Sequence, residues 1–122
     1  MAVHKDSSLE KLVKSDIKKE LVAHNAWYFM PVPTGLGAMG VPDVIACVPT
    51  VITEDMVGNK VGLFFAVEAK RFGGVPTKIQ EHQIARIREA GGIALVVDGT
   101  KKESGSFGKF VGLLKTLVRK KK

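Results

Sequence analysis

The sequence predicts an α/β fold, a mixed sheet flanked by helices, and three observations carry that prediction. Apolar residues recur at helical spacing over 8–24, and a second helical stretch fits 77–90. Short runs rich in aromatic and β-branched residues occupy 27–32, 43–48, 62–70 and 93–98. Glycine and proline clusters separate these segments, which gives the order α-β-β-β-α-β followed by a C-terminal helix.

Each element has its own justification. In the first helix Leu9, Val13, Ile17 and Leu21 recur at i+4, and Ser7 with Glu10 has the spacing of a capping box at its start. WYFMPV (27–32) suits a strand, and PTGLGAMG (33–40) is a glycine-rich loop. DVIACV (43–48) is a buried strand, with Pro42 tolerated at its entry. Pro49, Gly58 and Asn59 turn the chain before GLFFAVEAK (62–70), a strand that is apolar until its last three residues. RFGGVP (71–76) is a loop, and Gly91 and Gly92 stop the second helix before the strand IALVVD. A last helix fits 107–119, with Phe107, Phe110, Leu114 and Leu117 along one side. Gly108 and Gly112 weaken it by roughly 1 kcal/mol each relative to alanine. A length of 122 residues suits one domain over 1–122, with a core at about 8–98 and a C-terminal helix and basic tail over 106–122.

Composition narrows the function. With 45% hydrophobic and 25% charged residues, the chain has the make-up of a folded soluble domain. No apolar run approaches the roughly 20 residues that span a bilayer, and MAVHKDSSLEK has no signal-peptide core. The single cysteine, Cys47, cannot form an internal disulfide, so a reducing, cytoplasmic compartment is expected. Nineteen Lys and Arg against twelve Asp and Glu give a net charge of +7, which makes nucleic acid the leading partner class. Lys11, Lys14, Lys18 and Lys19 form one basic cluster and 119–122 another. Such runs also serve simply as solvated faces.

The chemistry lies where polar residues interrupt apolar strands. Side chains alternate along a strand, so Glu68 and Lys70 share a face and Ala69 takes the other. Asp43 opens the preceding strand. If the two strands pair, Asp43 and Glu68 converge at one sheet edge, and two such carboxylates repel unless a positive charge lies between them. Mg²⁺ or Mn²⁺ would supply it, polarise a phosphodiester and activate a water. Lys70 would stabilise charge on the phosphate or position the water. A plain surface salt bridge between Glu68 and Lys70 is the competing reading.

These residues resemble a known family. PD at 42–43 and EAK at 68–70 match the PD-(D/E)XK nuclease motif, whose core has the same αβββαβ order. GVPDVIA (40–46), FFAVEAKRFGGVPT (64–77), Gln80 and GGIALVVD (91–98) are similar to its virus-type replication-repair nuclease (VRR-NUC) branch, over about residues 10–98. The resemblance implies a Mg²⁺- or Mn²⁺-dependent DNA endonuclease, with Asp43, Glu68 and the main-chain carbonyl of Ala69 as metal ligands. Lys70 would be the catalytic lysine and Gln80 a further catalytic residue. It also implies an acid on the first helix: Glu10 fits the family's spacing, and Glu20 is the alternative. Two of these residues have competing roles as helix caps, Glu10 with Ser7 and Gln80 with Thr77. Stand-alone domains of this size in the family act on branched DNA, such as Holliday junctions or flaps, as homodimers. The family name suggests a viral or mobile-element origin, which would put the enzyme to work in a host cell.

Other features are weaker. Gly35 to Gly40 spells G-x-G-x-x-G, but Pro42 and a strand follow where a dinucleotide site needs a helix. The glycines suit either a loop that approaches a DNA backbone near Asp43 or an ordinary surface loop. The histidines His4, His24 and His82 are scattered, and no Cys/His spacing suggests zinc. Arg71, Lys78, Lys101 and Lys102 are candidate phosphate contacts, with solvation as their alternative. No base-reading helix is recognisable, so DNA shape rather than sequence would be read. The last helix suits a dimer face or completion of the monomer core. The alternative function is a non-catalytic basic DNA-binding module that retains the nuclease fold.

Overall fold

A computed structural model describes residues 2–32, 42–98 and 104–117, with the side chains of 2–10 left aside. It shows an α/β protein with three helices and two small sheets, in two compact units, Met1–Lys60 and Val61–Lys122. Among the described residues the strands form one antiparallel and one parallel pair, where the sequence predicts one mixed sheet. That expectation rested on pairing the second strand with the third, and each of these finds a ladder within its own unit.

In the first unit, helix α1 (Ala2–Ala23) packs on strand β1 (Trp27–Phe29), which runs antiparallel to β2 (Ile45–Cys47). The helix begins five residues earlier than Ser7, so Ser7 is inside it and is not its cap. The physical reason is that 2–6 (AVHKD) contains neither glycine nor proline, and an existing helix extends cheaply through such residues. At the other end Asn25 adopts φ +60, the Ala26 N–H donates to Leu21 O at 3.0 Å and the Asn25 N–H to Val22 O at 3.1 Å. This is a Schellman stop with asparagine in the left-handed position. It delivers Ala26 and the strand behind it to the core, where Ala26 and Cys47 are buried. Burial pushes the Cys47 thiol above its usual pKa, which keeps it protonated and inert. A long connection follows β2, with a single 3-10 turn at Glu54–Met56.

The second unit is a β-α-β crossover. Strand β3 (Phe65–Ala69) lies parallel to β4 (Ile93–Val97), in a register that runs from Phe65 opposite Ile93 to Ala69 opposite Val97. Helix α2 (Lys78–Glu89) connects them and packs on β4, as does α3 (Ser106–Leu117). Ile87, Ala90 and Ala94 form the buried centre. The start of α2 is the capping box that Thr77 and Gln80 predict: the Gln80 N–H donates to Thr77 Oγ1 at 3.2 Å, and the Thr77 N–H donates to Gln80 Oε1 at 2.9 Å. Its end is a second Schellman stop. Gly91 has φ +90, the Gly92 N–H donates to Ile87 O at 3.0 Å and the Gly91 N–H to Arg88 O at 3.0 Å. Arg88 also reaches forward, with Nε and Nη2 donating to Ala94 O at 3.1 and 2.7 Å. That carbonyl faces away from β3, so the guanidinium covers the outer edge of β4. In α3 the rings of Phe107 and Phe110 meet edge-on with centroids 6.4 Å apart.

Two of the glycines that bear on helix stability differ in sign. A Cβ on Gly112 would meet nothing within 4 Å, whereas Gly91 sits in the left-handed region. Gly112→Ala is expected to raise stability by about 0.5–1 kcal/mol and Gly91→Ala to lower it by about 1 kcal/mol. Urea denaturation midpoints at unchanged m-value measure both.

Candidate active site

The site in the second unit follows from the ladder. Phe64 O accepts from the Ile93 N–H at 2.9 Å, and the Lys70 N–H donates to Val97 O at 2.8 Å, so the even-numbered residues of β3 bond to β4. The odd-numbered residues therefore turn their backbone groups away from β4, and the Ala69 carbonyl is directed to the outer edge of this pair. Glu68 and Lys70, both half-buried, project on the face opposite to exposed Ala69, as the alternation predicts. Lys70 Nζ lies 3.4 Å from Glu68 Oε2.

Other groups gather at the same C-terminal end of the parallel pair, the end at which open α/β sheets present their ligands. Residues 71–74 form a turn closed by the Gly74 N–H donating to Arg71 O at 2.8 Å. Asp98, just past β4, ties this end together. Its Oδ1 accepts from the Ser106 hydroxyl at 3.0 Å, its own N–H donates to Ser106 Oγ at 2.9 Å, and its Oδ2 lies 3.5 Å from the Gly73 N–H. The sequence placed Asp98 at the end of a strand without a role. An acid directly after an apolar strand was its only signal, the same kind of signal that drew attention to Glu68.

The remaining expected residues fall as follows. Gln80 is half-buried on the first turn of α2, and its side-chain oxygen serves the capping box. Arg71 and Lys78 are exposed at either end of the 71–77 segment. Asp43 belongs to the first unit, exposed on a bend just ahead of β2. Glu20 is exposed on α1, where it and Asp16 flank Val13, Ile17 and Leu21. Glu10 lies within α1, which begins too early for Ser7 to be its cap, and the Glu10 side chain lies outside the described set. Lys101, Lys102, the glycine-rich loop expected at 33–40 and the basic tail also lie outside the described residues.

Glu68 and the Ala69 carbonyl offer hard oxygen donors beside a cation, the donor chemistry that Mg²⁺ and Mn²⁺ take. Among the described residues no group of three or more His, Cys, Asp or Glu side chains stands ready to hold a metal ion. Glu68 and the Ala69 carbonyl thus fit as part of a ligand set that other oxygens must complete. No helix among the described residues is long and apolar enough to cross a membrane. Comparisons with family models, with curated proteins and with solved structures returned no match.

The Glu68–Lys70 pair is about a quarter exposed, with Lys70 at 21% and Glu68 at 30%, so it contributes little to folding. Glu68→Gln is expected to change unfolding free energy by less than about 1 kcal/mol. A loss above about 3 kcal/mol in urea denaturation would make the pair a structural element instead.

Proposed function

We propose that this protein is a divalent-metal-dependent DNA endonuclease of the PD-(D/E)XK type, similar to the VRR-NUC branch. The observation that carries the reading is the arrangement at the end of β3. A carboxylate and an ammonium share one face 3.4 Å apart, and the carbonyl between them is turned off the ladder. A strand end that served only stability has no need for two half-buried opposite charges there, since an apolar pair would pack at least as well.

In this reading Glu68 and the Ala69 carbonyl would contribute ligands to Mg²⁺ or Mn²⁺, and the family resemblance adds Asp43 and Glu10, or alternatively Glu20, to that set. The bound ion would supply Lewis acidity toward the phosphodiester and lower the pKa of a water. Lys70 keeps its ammonium beside the reacting phosphate, where it offsets negative charge as the water oxygen bonds to phosphorus and the bond to the leaving oxygen breaks. Glu68 holds that ammonium in place before substrate arrives. Gln80, fixed by its bond to Thr77, directs its amide nitrogen as a donor toward water or phosphate. Arg71, Lys78, Lys101 and Lys102 supply phosphate contacts whose strength falls with salt. Branched or flapped DNA and a homodimer complete the proposal, because two symmetry-related sites suit paired nicks across a junction.

The test incubates labelled linear, flapped and four-way DNA with Mg²⁺ or Mn²⁺, with wild type and Glu68→Ala side by side. Metal-dependent cleavage is expected from the wild type, and a loss of at least about 100-fold from the variant. Absence of cleavage on every substrate, with DNA binding retained, would leave a non-catalytic DNA-binding module. Cleavage that survives in Glu68→Ala would move the active site elsewhere.

A further inference from the structure

We propose that Phe72 is a stacking platform for an unpaired nucleobase, so that the substrate is DNA with an unpaired nucleotide next to the cleaved bond. The proposal deepens the nuclease reading and rests on it. Phe72 stands two residues beyond Lys70, which keeps its Cα within about 7 Å of that of Lys70. It occupies a corner of the 71–74 turn, and its side chain is left 72% exposed.

That turn is built to hold its shape. The Gly74 N–H closes it on Arg71 O, and Gly73 adopts φ +75, which a residue with a side chain rarely adopts. A Cβ on Gly74 would come within 3.1 Å of Arg71 O and 3.3 Å of Lys70 Cβ, so the backbone there is packed against its neighbours. Asp98 approaches the turn from the end of β4. A large aromatic ring is thus presented to solvent by a turn closed through its own backbone. The surrounding chain is cationic and apolar: between Ala69 and Gln80 it exposes Arg71 and Lys78 and carries no acid, while Lys70 is paired with Glu68. Val75 is 77% and Ile79 76% exposed in the same stretch.

Interleaved cations and an exposed aromatic suit a single nucleic-acid strand, with phosphates on the cations and a base on the ring. The charge favours this occupant over an apolar protein surface, which would have to cover the exposed cations Arg71 and Lys78. A fully paired duplex keeps both faces of each base stacked and offers Phe72 nothing to cover. A flap, gap or branch point offers a free face.

Binding is measured without divalent metal, by fluorescence anisotropy at one fixed salt concentration, on a forked DNA and on a fully paired duplex of equal length. The wild type is expected to prefer the fork by about tenfold. Phe72→Ala should bring the two affinities together, Phe72→Trp should restore the preference, and Val51→Ala, at an exposed apolar site elsewhere, should keep it. A wild type without preference, or a Phe72→Ala protein that retains it, overturns the proposal. So does a Phe72→Ala protein that changes oligomeric mass by light scattering without losing the preference, because Phe72 would then contact protein. Metal-dependent cleavage assayed in parallel separates the two readings. Cleavage without a Phe72-dependent preference removes the stacking role alone, and a Phe72-dependent preference without cleavage removes the nuclease and leaves a base-binding surface.

Discussion

The parallel ladder between β3 and β4 is the constraint on which the second unit depends. Five residue pairs in fixed register decide which backbone groups of β3 are consumed and which are turned outward. They also decide that Glu68 and Lys70 share a face. A parallel pair requires a crossover, and α2 supplies it with both ends fixed by hydrogen bonds. The Thr77–Gln80 box sets where the helix starts, and the glycine stop at Gly91 sets where the chain returns to the sheet. Arg88 joins the helix end to the outer edge of β4, and Asp98 joins the strand end to α3. Glu68 and Lys70 thus sit on a frame whose junctions are fixed by named bonds.

The first unit uses the same device with different residues. Its helix ends in the same hydrogen-bond pattern as α2, with Asn25 in the position that Gly91 fills in the other. Asparagine tolerates the left-handed region better than most residues with a side chain. The stop turns the chain directly into β1, where Trp27 and Phe29 lie with ring centroids 5.5 Å apart. Among the described residues, those buried in the two units are small or medium in size. Backbone and capping bonds therefore bear more of the definition of these elements than large interlocking side chains do.

The element order was legible because it depends on local signals. Gly91-Gly92 announces a helix stop, Thr77 with Gln80 announces a start, and the alternation in FAVEAK sets which residues share a face. Where the structure departs from a local signal, the surrounding chain overrules it. Ser7 and Glu10 have the right spacing for a cap, but nothing before them breaks a helix, so the helix runs on to Ala2. Strand pairing is not local, which is why one mixed sheet was expected and two pairs are found. The same distinction governs the site. Glu68, Ala69 and Lys70 are related by strand parity, which sequence alone fixes, and they fall as expected. The tie from Asp98 to Ser106 and toward Gly73 spans separate segments, and no spacing rule could have found it.

The parity of β3 has a further consequence for how this chain can change length over evolution. Deleting or inserting one residue between Phe65 and Glu68 would send Glu68 and Lys70 to the opposite face and turn the Ala69 carbonyl into the ladder. A shift of two would keep the faces but carry the pair along the strand, away from the strand end and the 71–74 turn. Length variation in relatives that keep this chemistry should therefore be confined to the segments that precede β3 and to the connections beyond β4. Within the strand, substitutions at positions other than Glu68 leave this geometry in place, and gaps do not.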